Sequence, residues 1–318
     1  MVIEVLLKDK KIIKAQSAAE ISIPNQDFHV MQFLGYTNSD LQWLENNFSL
    51  DFTIMKHFDD IEISSHFLED DSQASFHFSI PYYNEEKKLV EQPMFIIISK
   101  TGLFLFSSTA LDSFLNEGYL NKHIIFKTLS DMKSIFKSQV AVLADYFADL
   151  TENSTRKIKT LANTILIEKE YTSKEMDVIS SLKFNNILIK EALIETTRVF
   201  NLYMKSNWEH KLGLKESMKA ELNDLNVISD YIQFNFDRLD DLKENVSGKI
   251  ELEQSHFFKL LTVVTVCISL PTLIAGIYGM NFEQMPGLKM PYGYPAVLIA
   301  MIISAVLPFI YFKKKKWL

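Results

Sequence analysis

Cysteine is nearly absent from these 318 residues: Cys267 is the only one. No intrachain disulfide can form, and the chain suits a reducing compartment. Proline is missing between Pro93 and Pro271, and the glycines over that stretch are Gly102, Gly118, Gly213 and Gly248. A chain punctuated by frequent turns is thereby excluded. Long helices are expected from about Ser130 onward, with breaks near Asn153-Ser154, near Thr172-Ser173 and at Gly213. The seven histidines form no HExxH, CxxC is impossible, and no Walker-type glycine loop occurs, so the sequence offers no catalytic reading. His57 with Asp59 and Asp60 comes nearest to a ligand set and reads better as an exposed polar turn. The opening MVIEVLLKDKKIIKAQ carries Glu4 and lacks a long apolar core ending at a small-residue cleavage site, so no signal peptide is expected there.

What is present is concentrated at the other end. Lys259 is the only charge between Phe257 and Tyr278, and none occurs from Tyr294 to Phe312. Each run is long enough to cross a hydrocarbon core, which takes about 20 residues. Two transmembrane helices are expected, at 257–278 and 294–312, joined by an external loop at 279–293. The basic tail at 313–318, led by Lys313 to Lys316, belongs inside by the positive-inside bias. Both termini are then cytoplasmic, in a cell (inner) membrane. Residues 256–318 hold six lysines against the single acid Glu283, so the net −7 leaves −12 on residues 1–255. An acidic cytosolic part argues against nucleic acid and for cations.

From Met1 to about Thr109, short runs rich in Ile, Phe and Val (VIEVLL, DFTIM, ASFHFSI, MFIIISKTGLFLF) alternate with turn signals, and Lys100-Thr101-Gly102 reads as a hairpin turn. Residues 37–50 have helical spacing, with Leu41, Trp43 or Leu44 and Phe48 on one face and Ser39 as the expected N-cap. The expected layout is an α/β domain at 1–129, a helical hairpin at 130–213 and a stalk helix at 214–256. Met218, Leu225, Ile232, Leu239 and Val246 recur every seven residues, and Leu222, Phe236 and Ile250 form a second seam interrupted by Ser229 and Lys243. One continuous helix from about Leu214 to Tyr278 follows, roughly 100 Å long at 1.5 Å per residue. Its stripe calls for neighbours, either parallel copies of the chain or an intrachain hairpin against residues 174–212, and both contacts are expected.

The two spans differ in polarity. Thr262, Thr265, Ser269, Thr272 and Gly276 share one face of the first, whereas the second has only Ser304 within its apolar stretch. Such a stripe marks either a packing seam or the wall of a water-filled path. Pro271 withdraws the helical donor of the Cys267 carbonyl, which a hydrated wall tolerates. Phe258 and Leu261, at the cytosolic entrance, can form apolar rings that gate by dewetting.

The segment Tyr278-Gly279-Met280-Asn281-Phe282 closely resembles the signature of the CorA family of divalent-cation channels, in which Gly-Met-Asn follows the first of two C-terminal spans. Phe258-Lys259-Leu260-Leu261-Thr262 is similar to the start of that family's pore helix, Met285-Pro286 and Gly293-Tyr294-Pro295 to its loop, and YFKKKKWL to its terminus. The resemblance is dense from Glu244 to Leu318 and sparse over Leu41 to Asp71. It implies a funnel-shaped homopentamer with an α+β cytosolic domain, a long stalk helix that lines the pore and an outer ring of second spans in contact with lipid. Magnesium is the implied cargo, with cobalt and nickel as surrogates. The chain departs from the family where Gly287 replaces a loop glutamate, leaving Glu283, where Ser255 and Phe258 replace more usual residues, and where Ala220 occupies the place of the regulatory stalk carboxylate.

Magnesium holds its water shell tightly. A ring of neutral amides, one Asn281 from each subunit beside Gly279 and Met280, would select the hydrated ion without stripping it and still release it inward. Glu244 matches an acid at the cytosolic pore end. Asp59, Asp60, Glu69, Asp70, Asp71, Glu221 and Asp224 are the candidate ligands for a regulatory magnesium. Two other readings stay open at this point: a zinc transporter of the same fold, and a non-conducting, membrane-anchored coiled-coil scaffold or sensor.

Overall fold

A computed structural model of the chain describes residues 2–9, 11–21, 28–56, 66–109, 131–168, 171–281, 285, 287, 290–315 and 317. The chain divides into two compact units. One comprises Met1–Glu168 with Asp177–Asp241, the other Lys169–Met176 with Leu242–Leu318.

The first unit is built on a seven-stranded sheet of β1 (Val2–Leu7), β2 (Ile12–Ala15), β3 (Phe28–Leu34), β4 (Phe67–Glu69), β5 (Gln73–Tyr83), β6 (Leu89–Ser99) and β7 (Leu103–Ser107), in the order β2-β1-β3-β7-β6-β5-β4. All neighbours are antiparallel except β3 and β7. A parallel pair needs a long crossover, and everything from α1 (Asn38–Phe48) to β6 is spent on it. The alternation of side chains sorts apolar residues to two faces. On one face Phe33, Phe95, Ile97, Phe104 and Phe106 pack with Leu44 of α1 and with Leu50, Phe52 and Ile54. On the other, Phe76, Phe78, Ile80, Met94 and Ile96 pack under α2 (Met132–Asn163), α3 (Ser173–Tyr203) and the first part of α5 (Lys215–Tyr278). A short α4 (Asn207–Leu212) lies between them, closed by Gly213 in the left-handed conformation. Lys100-Thr101-Gly102 is the β6–β7 hairpin turn, as its residues predict.

Three details differ from the sequence expectation. DFTIM makes no strand: Thr53–Lys56 is a 3-10 turn that buries Ile54. Helix α1 is capped by Thr37, not Ser39, because Asp40 lies at the position that completes a reciprocal capping box with Thr37. No break occurs at Asn153-Ser154, where α2 runs through and buries Ser154. The seven-residue stripe, by contrast, makes the intrachain contact expected of it. Met218, Leu225 and Ile232 sit in the same cluster as α2 and α3 side chains, and Leu239 and Val246 are buried as well. The large apolar residues that α5 leaves exposed in this unit are Val227, Tyr231 and Phe234.

One carboxylate at the sheet–helix seam gives a pH prediction. Glu91 of β6 is half-buried, and burial followed by the charges of Glu195 and Glu191 on α3 pushes its pKa up to about 7. A carboxyl raised in the folded state contributes stability that is complete below its unfolded pKa of 4.5 and is lost as pH rises through 7. Solvent screening at this half-exposed position reduces the effect to about 1 kcal/mol. Glu91→Gln is therefore expected to raise the melting temperature at pH 8 and leave it unchanged at pH 4.5. Equal melting temperatures of parent and variant at pH 8 would contradict this.

In the second unit α5 continues through Phe257 to Tyr278, with Pro271 inside it, and α6 (Gly293–Lys314) follows with Pro308 inside it. Both helices contain an 18-residue window of mean hydropathy 2.3, and the chain covers almost none of either window. A core helix of a water-soluble protein would be buried, so these apolar surfaces need lipid or further protein to cover them.

Candidate functional site

The turn after α5 begins at Gly279, whose N–H donates to the Ala275 carbonyl at 2.8 Å, and Met280 N–H donates to the Ile277 carbonyl at 3.3 Å. Neither bond uses the Asn281 side chain, which is exposed just beyond them. Further along, Gly287 has φ +93°, in the region L side chains rarely adopt, and a Cβ on Gly293 would lie 2.1 Å from the Gly287 carbonyl oxygen. Glycine at both positions lets the Gly287 backbone lie against the start of α6. There Tyr278 and Ile274 of α5, Met290, and Ala296 and Ala300 of α6 line one cavity of about 600 Å³. Glu283 and Pro286 lie outside the described residues.

Below the turn, Thr265, Ser269, Thr272 and Gly276 line one shallow concavity of about 790 Å³ on α5, and Thr262 precedes them on the same exposed face. Each hydroxyl donates to a carbonyl of its own helix: Thr262 to Phe258, Thr265 to Leu261 and Thr272 to Ile268, each at 2.8 Å, and Ser269 to Val266 at 3.3 Å. With the proton used in this way, each oxygen offers lone pairs outward. The stripe is a row of acceptors, the chemistry that meets the water ligands of a hydrated cation. Phe258 and Leu261 are 62 % and 50 % exposed, and Ser255 and Glu244 are exposed nearer the start of the helix.

The acids divide. Asp59 and Asp60, with His57, lie outside the described residues. Glu69 accepts from the Asn207 N–H at 3.0 Å. Asp70 caps its own turn: burial opposes its ionisation, yet hydrogen bonds from Ser72 and Gln73 outweigh it and hold the carboxyl below its usual range. Both are thus engaged in structure, while Asp71 is exposed. Glu221 and Asp224 of α5 meet a partner that the sequence reading missed, Asp145 of α2. Burial, then Asp224, then Asp145 raise the Glu221 pKa, with Lys137 opposing. Asp145 and Asp224 also line a groove of about 500 Å³ between α2 and α5, together with Ala144, Thr151, Val227 and Tyr231. Only the pairing of two distant helices creates this cluster, so no spacing in the sequence announces it. Among the described residues no group of three or more His, Cys, Asp or Glu side chains is arranged to hold a metal ion.

An α/β unit with a helical bundle, one helix that runs on into a membrane-length apolar segment, a second such helix and a glycine-bound turn between the two define a class: proteins with two C-terminal membrane-length helices. A family profile described as "CorA-like Mg2+ transporter protein" matches residues 26–314. The chain belongs to the CorA family, whose members are ion transporters and not enzymes. It is 29% identical over 289 residues, 88% of each chain, to a protein of Campylobacter jejuni named magnesium transport protein CorA. It is 27% identical over 99% of each chain to a protein of that name from Wolinella succinogenes. Its fold is similar to the complete structure of the CorA magnesium transporter from Methanocaldococcus jannaschii, with a TM-score of 0.76 at 16% identity, covering 100% of this chain and 99% of that one.

Proposed function

We propose that the protein conducts magnesium passively across the cell membrane through a homopentameric pore, with cobalt and nickel as surrogate cargo. The observation that carries this reading is the exposed Gly279-Met280-Asn281 turn at the end of a span whose one face is a row of outward acceptor oxygens. Five Asn281 amides would orient the waters of an entering hydrated ion. Thr262, Thr265, Ser269, Thr272 and Gly276 would form the wall, and Phe258 and Leu261 the apolar constriction, with Ser255 and Glu244 at the cytosolic end. Helix α6 would face lipid, and both termini would be cytoplasmic. Magnesium uptake by liposomes holding the purified protein tests the reading, and zinc uptake without magnesium uptake would move the cargo to zinc.

Assembly has its own test. An axial pore shared by equivalent helices needs a closed ring, and light scattering of the detergent-purified protein is expected to give five chains. A monomer or a stable dimer would remove the shared pore.

Regulation is proposed at the acids of α5. Where Glu221, Asp224 and Asp145 crowd one another, a divalent cation would relieve their repulsion and favour one state of the helix. Millimolar magnesium is then expected to slow proteolysis of the cytosolic part. Identical digestion rates with and without it would end the idea of a sensor here.

A further inference from the structure

Helix α2 ends in a π turn, Thr164–Glu168, in which Ile165 is 0% exposed while Leu166 and Ile167 are 53% and 72% exposed. Ile165 pins the turn, and the next two side chains stand in the open. A single exposed aliphatic residue is ordinary on a surface that meets water. Two adjacent ones at the end of a helix, where polar residues serve the following turn better, call for a cover.

Directly after this turn the chain enters Lys169–Met176, which packs with Leu242–Leu318 in the second unit. There the Lys249 ammonium lies over the Tyr171 ring, 5.7 Å from its centroid. Lys249 precedes Phe257, where the apolar span begins, by eight residues, which is about 12 Å along the helix. The headgroup layer outside the hydrocarbon takes up roughly 5–7 Å of that distance. Ile167 is four residues from Tyr171 along the chain, and four residues span up to about 14 Å. The π turn therefore has the reach to touch the headgroups. Leu252, on α5 between Lys249 and the span, is 65% exposed as well.

Glu168, Lys169 and Glu170 follow the aliphatic pair and sum to one negative charge. Attraction to anionic lipid is thus not what would bring the turn to a membrane; its apolar area is.

We propose that Leu166 and Ile167 dock the α2–α3 hairpin on the bilayer face at which α5 enters, with both side chains seated between the headgroups and the acyl boundary. The occupant is the lipid surface itself, and it needs no net charge. The hairpin is then held at one end by the sheet, against which Ile135, Phe136 and Phe200 pack, and at the other by lipid. This goes beyond the transport reading and holds whatever ion is carried.

The test uses the full-length protein with Cys267→Ser, in vesicles of zwitterionic phosphatidylcholine, carrying one nitroxide at Leu166→Cys so that Ile167 is kept. Collisions of the nitroxide with oxygen, which concentrates in lipid, are compared with collisions with a water-soluble nickel chelate. Oxygen is expected to dominate at Leu166→Cys, and the chelate at Arg156→Cys, an exposed position ten residues back on α2. Adding Ile167→Glu is expected to bring the Leu166→Cys label to the Arg156→Cys value, while Ile167→Leu leaves it unchanged and both variants elute as the same assembly. A Leu166→Cys label open to the chelate overturns the docking. Low collision with both reagents also overturns it, because a second copy of the chain then covers the pair. So does an oxygen preference that survives Ile167→Glu or that needs anionic lipid. Docking without magnesium uptake counts against the transport reading alone, and uptake with a water-exposed turn counts against the docking alone.

Discussion

Asn281→Ala is expected to reduce magnesium uptake to background while the protein still elutes as the same assembly. The amide is exposed beyond the last turn of α5, and the bonds that close that helix come from Gly279 and Met280. Its removal therefore leaves the backbone of the turn intact. What it removes is the neutral oxygen able to hold the water shell of an ion that dehydrates reluctantly. Asn281→Asp separates this role from capping. Aspartate caps as well as asparagine does, so a capping role predicts normal uptake. A filter role predicts slower or less selective uptake, because five carboxylates hold a divalent cation too tightly to release it. Full uptake by Asn281→Ala would make the turn a mere connector.

Thr272→Trp is expected to abolish uptake, whereas Leu307→Trp on α6 is expected to leave it near the parent level. Thr272 lies in the row of acceptor oxygens, one turn before Gly276 in the same concavity, and an indole there would fill a water path and cover its lone pairs. Leu307 is 61 % exposed on a helix that buries no residue, the condition of a lipid-facing side chain. Equal uptake by the two variants would favour the other reading of the stripe, a packing seam in a membrane-anchored scaffold.

The spans and the turn between them were legible because each rests on one local property. A charge-free run has a membrane length whatever surrounds it, and hydroxyls spaced three and four apart share a face in any helix. The stripe of α5 was legible together with one of its partners, residues 174–212, whereas the contact with α2 was not. A seven-residue repeat says that a helix packs lengthwise against something, and here α2 and α3 cover Met218, Leu225 and Ile232. Thr37 and Ser39 are both capping types, and the deciding residue was Asp40, three positions after Thr37 and close enough to bond back. Ser154 reads as a loop residue by composition, yet it is buried in α2 because Asn186, from another helix, supplies its partner. Asp145 stayed hidden for the same reason, since its proximity to Glu221 and Asp224 exists only once separate helices meet.

Magnesium flux into liposomes containing the purified full-length protein, run beside zinc and cobalt and without nucleotide, tests the central claim most directly. The account predicts magnesium uptake that follows the imposed gradient and membrane potential, with cobalt also carried and uptake lost in Asn281→Ala. Liposomes that hold correctly assembled protein and take up no magnesium would contradict it.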